Sequence, residues 1–421
     1  MTVNVFLYNV VPVKADLTAL NNRPDTPFIL IGSQYCLSHL SAENKALFDE
    51  IHPVHNRSFH QIHYQEAEHI VLSLIKRYGA ENLRLLSNED STQLVCAQLR
   101  EQYGIPGNSL AQVLPYVNKL VSKNKLQGRL RIPRFTPFEK KAYQTDAELY
   151  INEVVQSIGF PMFIKPIDLV SSIDTFHVTD RDSLRAVFEK IAEKPWDFEI
   201  DEFIEGELFH CDVIVRENRS EFFMAGQYAW PLARFSKGSP MGSIPVNDDS
   251  LLSRLKDFTE RVLNSLGRFS SAFHIEVFKH SQTGELIFLE AAARTPGAMV
   301  PDMYKMIMGK HLEELHYHVQ LFPEQELTIG KPQTLAGWIT FPKIEGTLSE
   351  IKRPELPVNY QFLSFVKNGD SMEQASSLLD SACSILFWDQ CYQNISNTFN
   401  YLRYFNPLTI STSELYLPGN D

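Results

Sequence analysis

Short apolar runs alternate with polar, helically spaced stretches from the first residues of the chain onward. Val3 to Val11 reads as a strand, Phe28 to Ile31 as a second strand closing at Gly32, and Glu43 to Ile51 as a helix. Between Glu66 and Gly79 the apolar positions Ile70, Leu74, Ile75 and Tyr78 keep near-helical spacing, and Leu83 to Leu86 is a short buried-strand candidate. Asn88-Glu-Asp-Ser91 supplies N-cap chemistry for a helix through Tyr103, which Gly104 and Pro106 end. Repeated strand-helix order of this kind is α/β patterning and predicts a small doubly wound domain over residues 1–117.

The texture changes at Asn118, where Lys119, Lys123, Lys125, Arg129 and Arg131 make a basic, helix-like stretch closed by Ile132-Pro133. Gly159-Phe-Pro-Met-Phe-Ile-Lys-Pro166 then reads as a turn into a buried strand that ends in a lysine, with a second strand at Thr175 to Val178. Burying an unpaired ammonium is costly, so Lys165 on its own also fits a side chain that snorkels to solvent or meets a surface carboxylate. Arg181 to Ala192 is an amphipathic helix, and the strand Phe198 to Ile204 carries Asp201-Glu-Phe-Ile-Glu-Gly-Glu207 at its end. Cys211 to Val215 and Phe222 to Tyr228 read as paired strands, and Arg234 to Ser243 as a polar loop with two cations, Arg234 and Lys237. Toward the C-terminus, Ala336 to Phe341 and Ser381 to Phe387 are strand-like, Gln393 to Arg403 is helical, and Ser411 to Asp421 is a polar extension.

Composition narrows the function. At 421 residues the chain is long enough for about three domains of ordinary size. Lys plus Arg number 39 against 51 Asp plus Glu, a net charge of −12, which argues against a phosphate-backbone binder. No apolar run reaches the roughly 18–20 residues of a membrane span, and the N-terminus shows no basic segment ahead of an apolar core, so a cytoplasmic protein is expected. Five scattered cysteines without a C-x-x-C pair fit free thiols. His52, His55, His60, His63 and His69 crowd one stretch without a zinc spacing and read as surface or interface residues. Met303, Met306 and Met308 read as core packing. Two nucleotide motifs are missing: Val10-Val-Pro-Val-Lys14 stands where a dinucleotide fold needs G-x-G-x-x-G, and Gly309-Lys310 leads into His311 without the earlier glycine of a P-loop.

The most informative segment runs from His274-Ile-Glu276 through Thr283-Gly284 to Leu289-Glu290 and on to Ala291-Ala-Ala-Arg-Thr-Pro-Gly297. Its alternation and central turn predict a β-hairpin, with His274, Glu276 and Phe278 on one face and Phe288 and Glu290 sharing a face of the return strand. A register that sets Glu276 beside Glu290 brings two carboxylates together, and like charges repel unless a cation lies between them. Magnesium shared with substrate phosphates is one such cation. A solvent-facing glutamate and a second one paired with a nearby Arg or Lys would satisfy the hairpin equally well.

In order and spacing, these elements together resemble the ATP-grasp superfamily, from Glu89 through Val117-Asn-Lys119, Phe160 to Pro166, Asp201 to Glu207 and His274-x-Glu276 to Leu289-Glu-Ala-Ala-Ala-Arg294. The resemblance implies a mixed α/β, three-domain fold: an N-terminal Rossmann-like domain (1–117), a lid subdomain (118–205) and a catalytic domain with a strand-rich tail (206–421). It implies that Lys119 and Lys165 contact ATP phosphates, with Lys123 as the alternative to Lys119, under a loop that offers Ser171 and Ser172. Glu202, Phe203 and Ile204 would read the adenine edge and Glu207 the ribose. Glu276 and Glu290 would hold magnesium, two ions with manganese able to substitute, beside His274. Arg294 would hold the reacting carboxylate or its acyl phosphate, with Gly297, Arg234 and Lys237 as further substrate contacts. The string Glu290-x-x-x-Arg-x-Pro-Gly297 is most similar to carboxylate-amine ligases of the L-amino-acid ligase type, which join small-molecule carboxylates and amines and are commonly homodimers.

Two departures stand out. Ala292 occupies a position where the superfamily often has a metal-binding Asn, and the phosphate-covering loop Asp168-Leu-Val-Ser-Ser-Ile-Asp174 has no glycine, which predicts a stiffer lid. The competing readings are another ATP-grasp ligase, similar to D-alanine ligases or to purine and biotin carboxylases, and a nucleotide-binding scaffold without turnover.

Overall fold

The computed structural model describes residues 2–10, 13, 15–20, 26–58, 61–170 and 172–411. It is a mixed α/β structure. In the N-terminal part four parallel strands lie in the spatial order Glu50–Val54, Phe28–Ser33, Val3–Tyr8, Leu83–Leu86. Every residue of the two central strands is buried, which is why they read as continuous apolar runs and not as alternation. Helices Tyr64–Tyr78 and Asp90–Tyr103 pack against this sheet.

The helix expected over Glu43 to Ile51 is shorter than the spacing suggested. It covers Ala42–Lys45, capped by Ser41, and Glu50 and Ile51 belong to a strand. The Asp49 N–H donates to the Phe28 carbonyl at 2.8 Å and the Asp49 carboxylate accepts from Phe28 N–H at 2.9 Å. That anchorage starts parallel pairing with Phe28–Ser33, and sheet hydrogen bonds outweigh local helical spacing.

A small sheet follows, Phe135–Pro137, Phe198–Glu202, Met162–Pro166, Phe176–Val178 in spatial order, backed by helices Ala147–Ser157 and Arg181–Ala192 through Ile151, Val154, Leu184, Phe188 and Ile191. The largest sheet has eight antiparallel strands in the order Leu286–Ala292, Ser271–His280, Gly206–Arg216, Arg219–Tyr228, Met241–Pro245, Leu335–Pro342, Ser381–Asp389, Asn359–Ser364. Helix Asp249–Leu266 covers one face through Leu255, Val262 and Leu263, joined there by Leu126 of helix Lys119–Leu126. Helices Val300–Met308 and Leu312–Leu321 cover the other, with Met303 and Met308 buried among apolar neighbours as expected. The segment read as an Arg234 to Ser243 loop is instead a 3₁₀ turn, Leu232–Lys237, leading into the Met241–Pro245 strand. No helix among the described residues is long and apolar enough to cross a membrane.

Polar contacts fasten the N-terminal sheet to the rest. The Tyr8 hydroxyl donates to Glu313 at 2.5 Å, and Ala15 N–H donates to the same carboxylate at 2.9 Å. Buried His316 accepts from Ala272 N–H at 3.0 Å through Nδ1 and donates to the Ser87 carbonyl at 2.9 Å through Nε2. This arrangement needs a neutral ring, and burial pushes its pKa down to about 4. Below the ordinary value the unfolded chain takes up a proton that the folded one refuses, so stability is lost as pH falls from about 6.5 toward 4. Between pH 7 and pH 5 the unfolding free energy is expected to drop by about 2 kcal/mol from this residue. Urea unfolding at the two values checks it, with His316→Gln removing that part of the pH dependence.

Candidate active site

A cavity of about 320 Å³ opens where the three sheets meet. Its floor is the face of the large sheet that carries His274, Glu276 and Phe278, its roof the small sheet with Phe163, Lys165 and Asp201, and one wall the N-terminal loops Val10 and Asn88 to Ser91.

The hairpin forms as its alternation predicts, and Glu276 is the register partner of Glu290. A β-bulge corrects one detail. Val277 pairs with Phe288, which leaves Leu289 as an extra residue. Phe288 therefore packs with Ile275 and Val277 in the core, on the face away from Glu290, while Glu290 lines the cavity with Glu276.

Cations surround this carboxylate pair. The Lys119 ammonium is 3.9 Å from Glu290 and donates to the Leu169 carbonyl at 2.7 Å, so the loop over the cavity already leans on it. Burial alone would raise the Glu290 pKa, but Lys119, Lys165, Arg294 and His274 outweigh it and hold the group below its ordinary value. Arg294 donates through Nε to Asp90 at 2.7 Å, which fixes the guanidinium between the N-terminal part and the hairpin. Asn88 and Thr295 exchange two bonds beside it, at 2.8 and 2.9 Å. Gly297 lines the same wall.

Lys165 neither snorkels nor meets a surface acid. It is 5% exposed, 3.4 Å from Asp201 and 3.6 Å from Glu199, and its ammonium reaches the cavity. Burial would lower its pKa, yet Asp201, Glu199 and Glu290 together raise it. Lys123 is fully buried, 2.9 Å from Glu199 and 2.5 Å from Asp201, and does not line the cavity. Its carboxylate partners, not a ligand, account for it.

At the hinge, Glu202 is held by Arg131 at 3.0 Å and by Arg134 N–H at 3.0 Å. Phe203 N–H donates to the Pro161 carbonyl at 3.1 Å. The Ile204 N–H has no hydrogen-bond partner among the described residues, and Ile204 lines the cavity. Ser172 also lines the cavity; Ser171 lies outside the described residues. Ser172 and Asp174 adopt φ of 57° and 50°, so this loop makes without glycine the left-handed turns that glycine makes freely.

Three residues marked in the sequence stand away from the cavity. Strand alternation puts Leu208 on the cavity face and turns Glu207 to the other, where it accepts from Gln227 at 2.7 Å and Lys279 at 2.8 Å. Arg234 is exposed and lies over the Trp230 ring at 5.1 Å, and Lys237 is exposed. Neither cation lines the cavity, because the 3₁₀ turn presents Leu232 and Ala233 to it instead. Of the early histidine cluster, His52 meets Glu50 and His55 and His63 meet Glu66, His69 lies on the helix Tyr64–Tyr78, and His60 is outside the described residues.

His274 donates to Asp212 at 2.7 Å and stands 3.5 Å from Glu276. Burial would lower its pKa, but Asp212 and then Glu276 push it up to about 9. Asp212, like Asp90, Tyr228 and His210, went unmarked in the sequence. The visible signal is polar residues at alternate positions of apolar strands, His210-Cys-Asp212 and His274-Ile-Glu276.

Both contacts to Glu276, from Tyr228 at 3.1 Å and from His274, fall on Oε1. Glu290 meets Lys119 only at 3.9 Å. Each glutamate thus keeps oxygen capacity toward the cavity, and a hard, all-oxygen donor set of this kind suits magnesium.

The family described as the D-ala D-ala ligase C-terminus matches residues 127–230. An L-arginine-specific L-amino acid ligase of Bacillus subtilis is 23% identical over 272 residues, 63% of this chain and 64% of that protein. The chain thus spans a little under two thirds of that relative's length. The crystal structure of an L-amino acid ligase from Bacillus licheniformis superposes with a TM-score of 0.72 at 15% identity, covering 97% of this chain and 99% of that one. A biotin carboxylase domain of Hydrogenobacter thermophilus, crystallised with the magnesium salt of ADP and bicarbonate, gives 0.63 at 11% identity over 96% of this chain and 90% of that one.

Proposed function

We propose that this chain, which belongs by its fold to the ATP-grasp superfamily, is an ATP-dependent carboxylate-amine ligase acting on amino acids. The observation that carries the proposal is the convergence of Lys119, Lys165, Glu276, Glu290 and Arg294, from separate segments of the chain, on one cavity. In the reaction a substrate carboxylate oxygen attacks the γ-phosphorus of ATP and the bond to ADP breaks, giving an acyl phosphate. The amine nitrogen then attacks the acyl carbon, loses a proton, and phosphate leaves with the formation of an amide.

The chain's part is placement and charge neutralisation. Lys119 and Lys165 hold the phosphates as compact point charges. The Lys119 ammonium has three N–H donors, so it can hold a phosphate while keeping its bond to the Leu169 carbonyl, which ties Leu169 to the bound nucleotide. The free Ile204 N–H reads the adenine edge. Arg294, its fork oriented by Asp90, holds the carboxylate and the oxyanion charge that develops on it. Glu276 and Glu290 hold magnesium, two ions in this reading with manganese as a substitute, which supplies neutralisation of charge on the transferring phosphoryl group. Glu207, Arg234 and Lys237 have no part in this assignment.

The proposal keeps the division at residues 117 and 205, a cytoplasmic setting and a homodimer, the last read directly by sedimentation. The test is phosphate release from ATP and magnesium across a matrix of paired amino acids and other carboxylates, with mass spectrometry of positive wells. A condensed product that requires both partners is expected. Nucleotide binding without release in any well would overturn ligase activity in favour of a scaffold.

A further inference from the structure

A chain of buried polar groups ends at Glu276. Asp212 is 1% exposed in the middle of the Gly206–Arg216 strand, opposite His274 in register. An anion in such a place must be fully compensated. Its Oδ1 meets His274 Nδ1 at 2.7 Å, and its Oδ2 meets His210 Nδ1 and the Tyr304 hydroxyl, both at 2.6 Å. Beyond His210, Nε2 lies 2.9 Å from the Ser243 hydroxyl, which accepts from Trp338 Nε1 at 2.8 Å.

The chemistry of the two ends sets the direction of the bonds made there. Trp338 can only donate and an ionised Asp212 can only accept. Ser243 accepts from Trp338 and bonds His210 Nε2, and His210 gives its Nδ1 proton to Asp212. His274 likewise presents Nδ1–H to Asp212, which turns its other nitrogen toward Glu276 Oε1 at 3.5 Å. Tyr228 donates to that same oxygen at 3.1 Å.

The Tyr228 hydrogen bond and the His274 contact both fall on Oε1 and leave Oε2 for a ligand. We propose that Asp212 is a positioning residue which, through His274, fixes Glu276 so that Oε1 faces protein groups and Oε2 is presented to a divalent cation. The inference rests on the reading of Glu276 as a cation ligand. His210, Asp212 and His274 are close enough to hold an ion themselves, but their facing atoms already bond one another, so this cluster is a support for Glu276 and not a second metal site.

The test is Mn²⁺ affinity in the presence of ADP, read from the electron paramagnetic resonance of free Mn²⁺, alongside the KM for magnesium in phosphate release. Asp212→Asn preserves shape but sets an amide N–H against a donor, and Mn²⁺ binding is expected to weaken by roughly 10–100-fold. The KM for magnesium should rise in step, with kcat at saturating magnesium within about threefold, a split that simple loss of stability does not produce. Should Asp212→Asn fail to fold, Tyr304→Phe removes one anchor of Asp212 and should give a smaller rise in the same Kd. Wild-type Mn²⁺ affinity in both variants, with Glu276→Gln weakened, overturns the positioning role alone. Wild-type affinity in Glu276→Gln overturns the ligand assignment beneath it.

Discussion

Glu290→Gln is expected to cut magnesium-dependent ADP release by more than the roughly 100-fold that loss of an outer-sphere partner can cost a metal site. The substitution keeps the size and shape of the side chain, and the hairpin register with Glu276 rests on backbone bonds, so the fold should hold. The charge change is severe, because Glu290 is the anion on which Lys119, Lys165, Arg294 and His274 all act. Without it the cavity becomes more positive, although Lys165, Arg294 and His274 keep Asp201, Asp90 and Asp212 as partners, and nucleotide affinity in the absence of metal should be kept or tightened. Calorimetry of ATP binding with and without magnesium therefore separates the two roles: metal-free binding persists while the gain from magnesium and the turnover disappear. An unchanged rate of ADP release would remove Glu290 from the metal assignment. Lys165→Met should behave in the opposite way, losing metal-free nucleotide affinity first.

That contrast rests on a site half visible in the sequence. The hairpin was legible from its period-two alternation and the Thr283-Gly284 turn, but the sequence left open whether Glu276 stands beside Glu290. The bulge at Leu289 decides it: Val277 pairs with Phe288, so a regular ladder would set Glu276 opposite Leu289, and one extra residue leaves no mark in an apolar run. Lys165 showed itself as a cation ending a buried strand, but its partners Glu199 and Asp201 sit on the neighbouring strand, and only the pairing of Lys165 with Glu199 brings them together. His210 and Asp212 share one strand, but Tyr304 and Trp338 come from a helix and a strand far along the chain, and the order of the eight-stranded sheet with the helix packed on its face gathers them. Arg234 and Lys237 entered as substrate contacts through the resemblance alone, on a segment that its composition marks only as a polar loop, and the 3₁₀ turn there sends its apolar side chains inward and its charges out.

Lys123→Met is the substitution expected to cost the most stability. Lys123 sits on the helix Lys119–Leu126, whose Leu126 packs in the core of the large sheet, while Glu199 and Asp201 belong to the small sheet. Its ammonium thus joins two layers with no exposure to water. Methionine fills the space without the charge, leaving two buried carboxylates with Lys165 alone, at 3.4 and 3.6 Å. Breaking a buried pair from one side costs about 3–5 kcal/mol, which urea unfolding would read directly. The pH dependence has a definite sign. Burial and then Asp201 already raise the Glu199 pKa, and Lys123 is first among the groups that pull it back. In the variant the folded pKa rises further above the unfolded value, so the group favours folding at low pH and loses that contribution as pH climbs through the folded pKa. The destabilisation should therefore be larger at pH 8 than at pH 5.5, and Lys123→Met combined with Glu199→Gln should recover much of it. The same loss reaches the cavity, because Lys165 becomes the sole counter-ion of both acids and is held back from ATP phosphates, raising the KM for ATP. A change under about 1 kcal/mol that is flat with pH would mean that the paired charges contribute no more than an exposed salt bridge does.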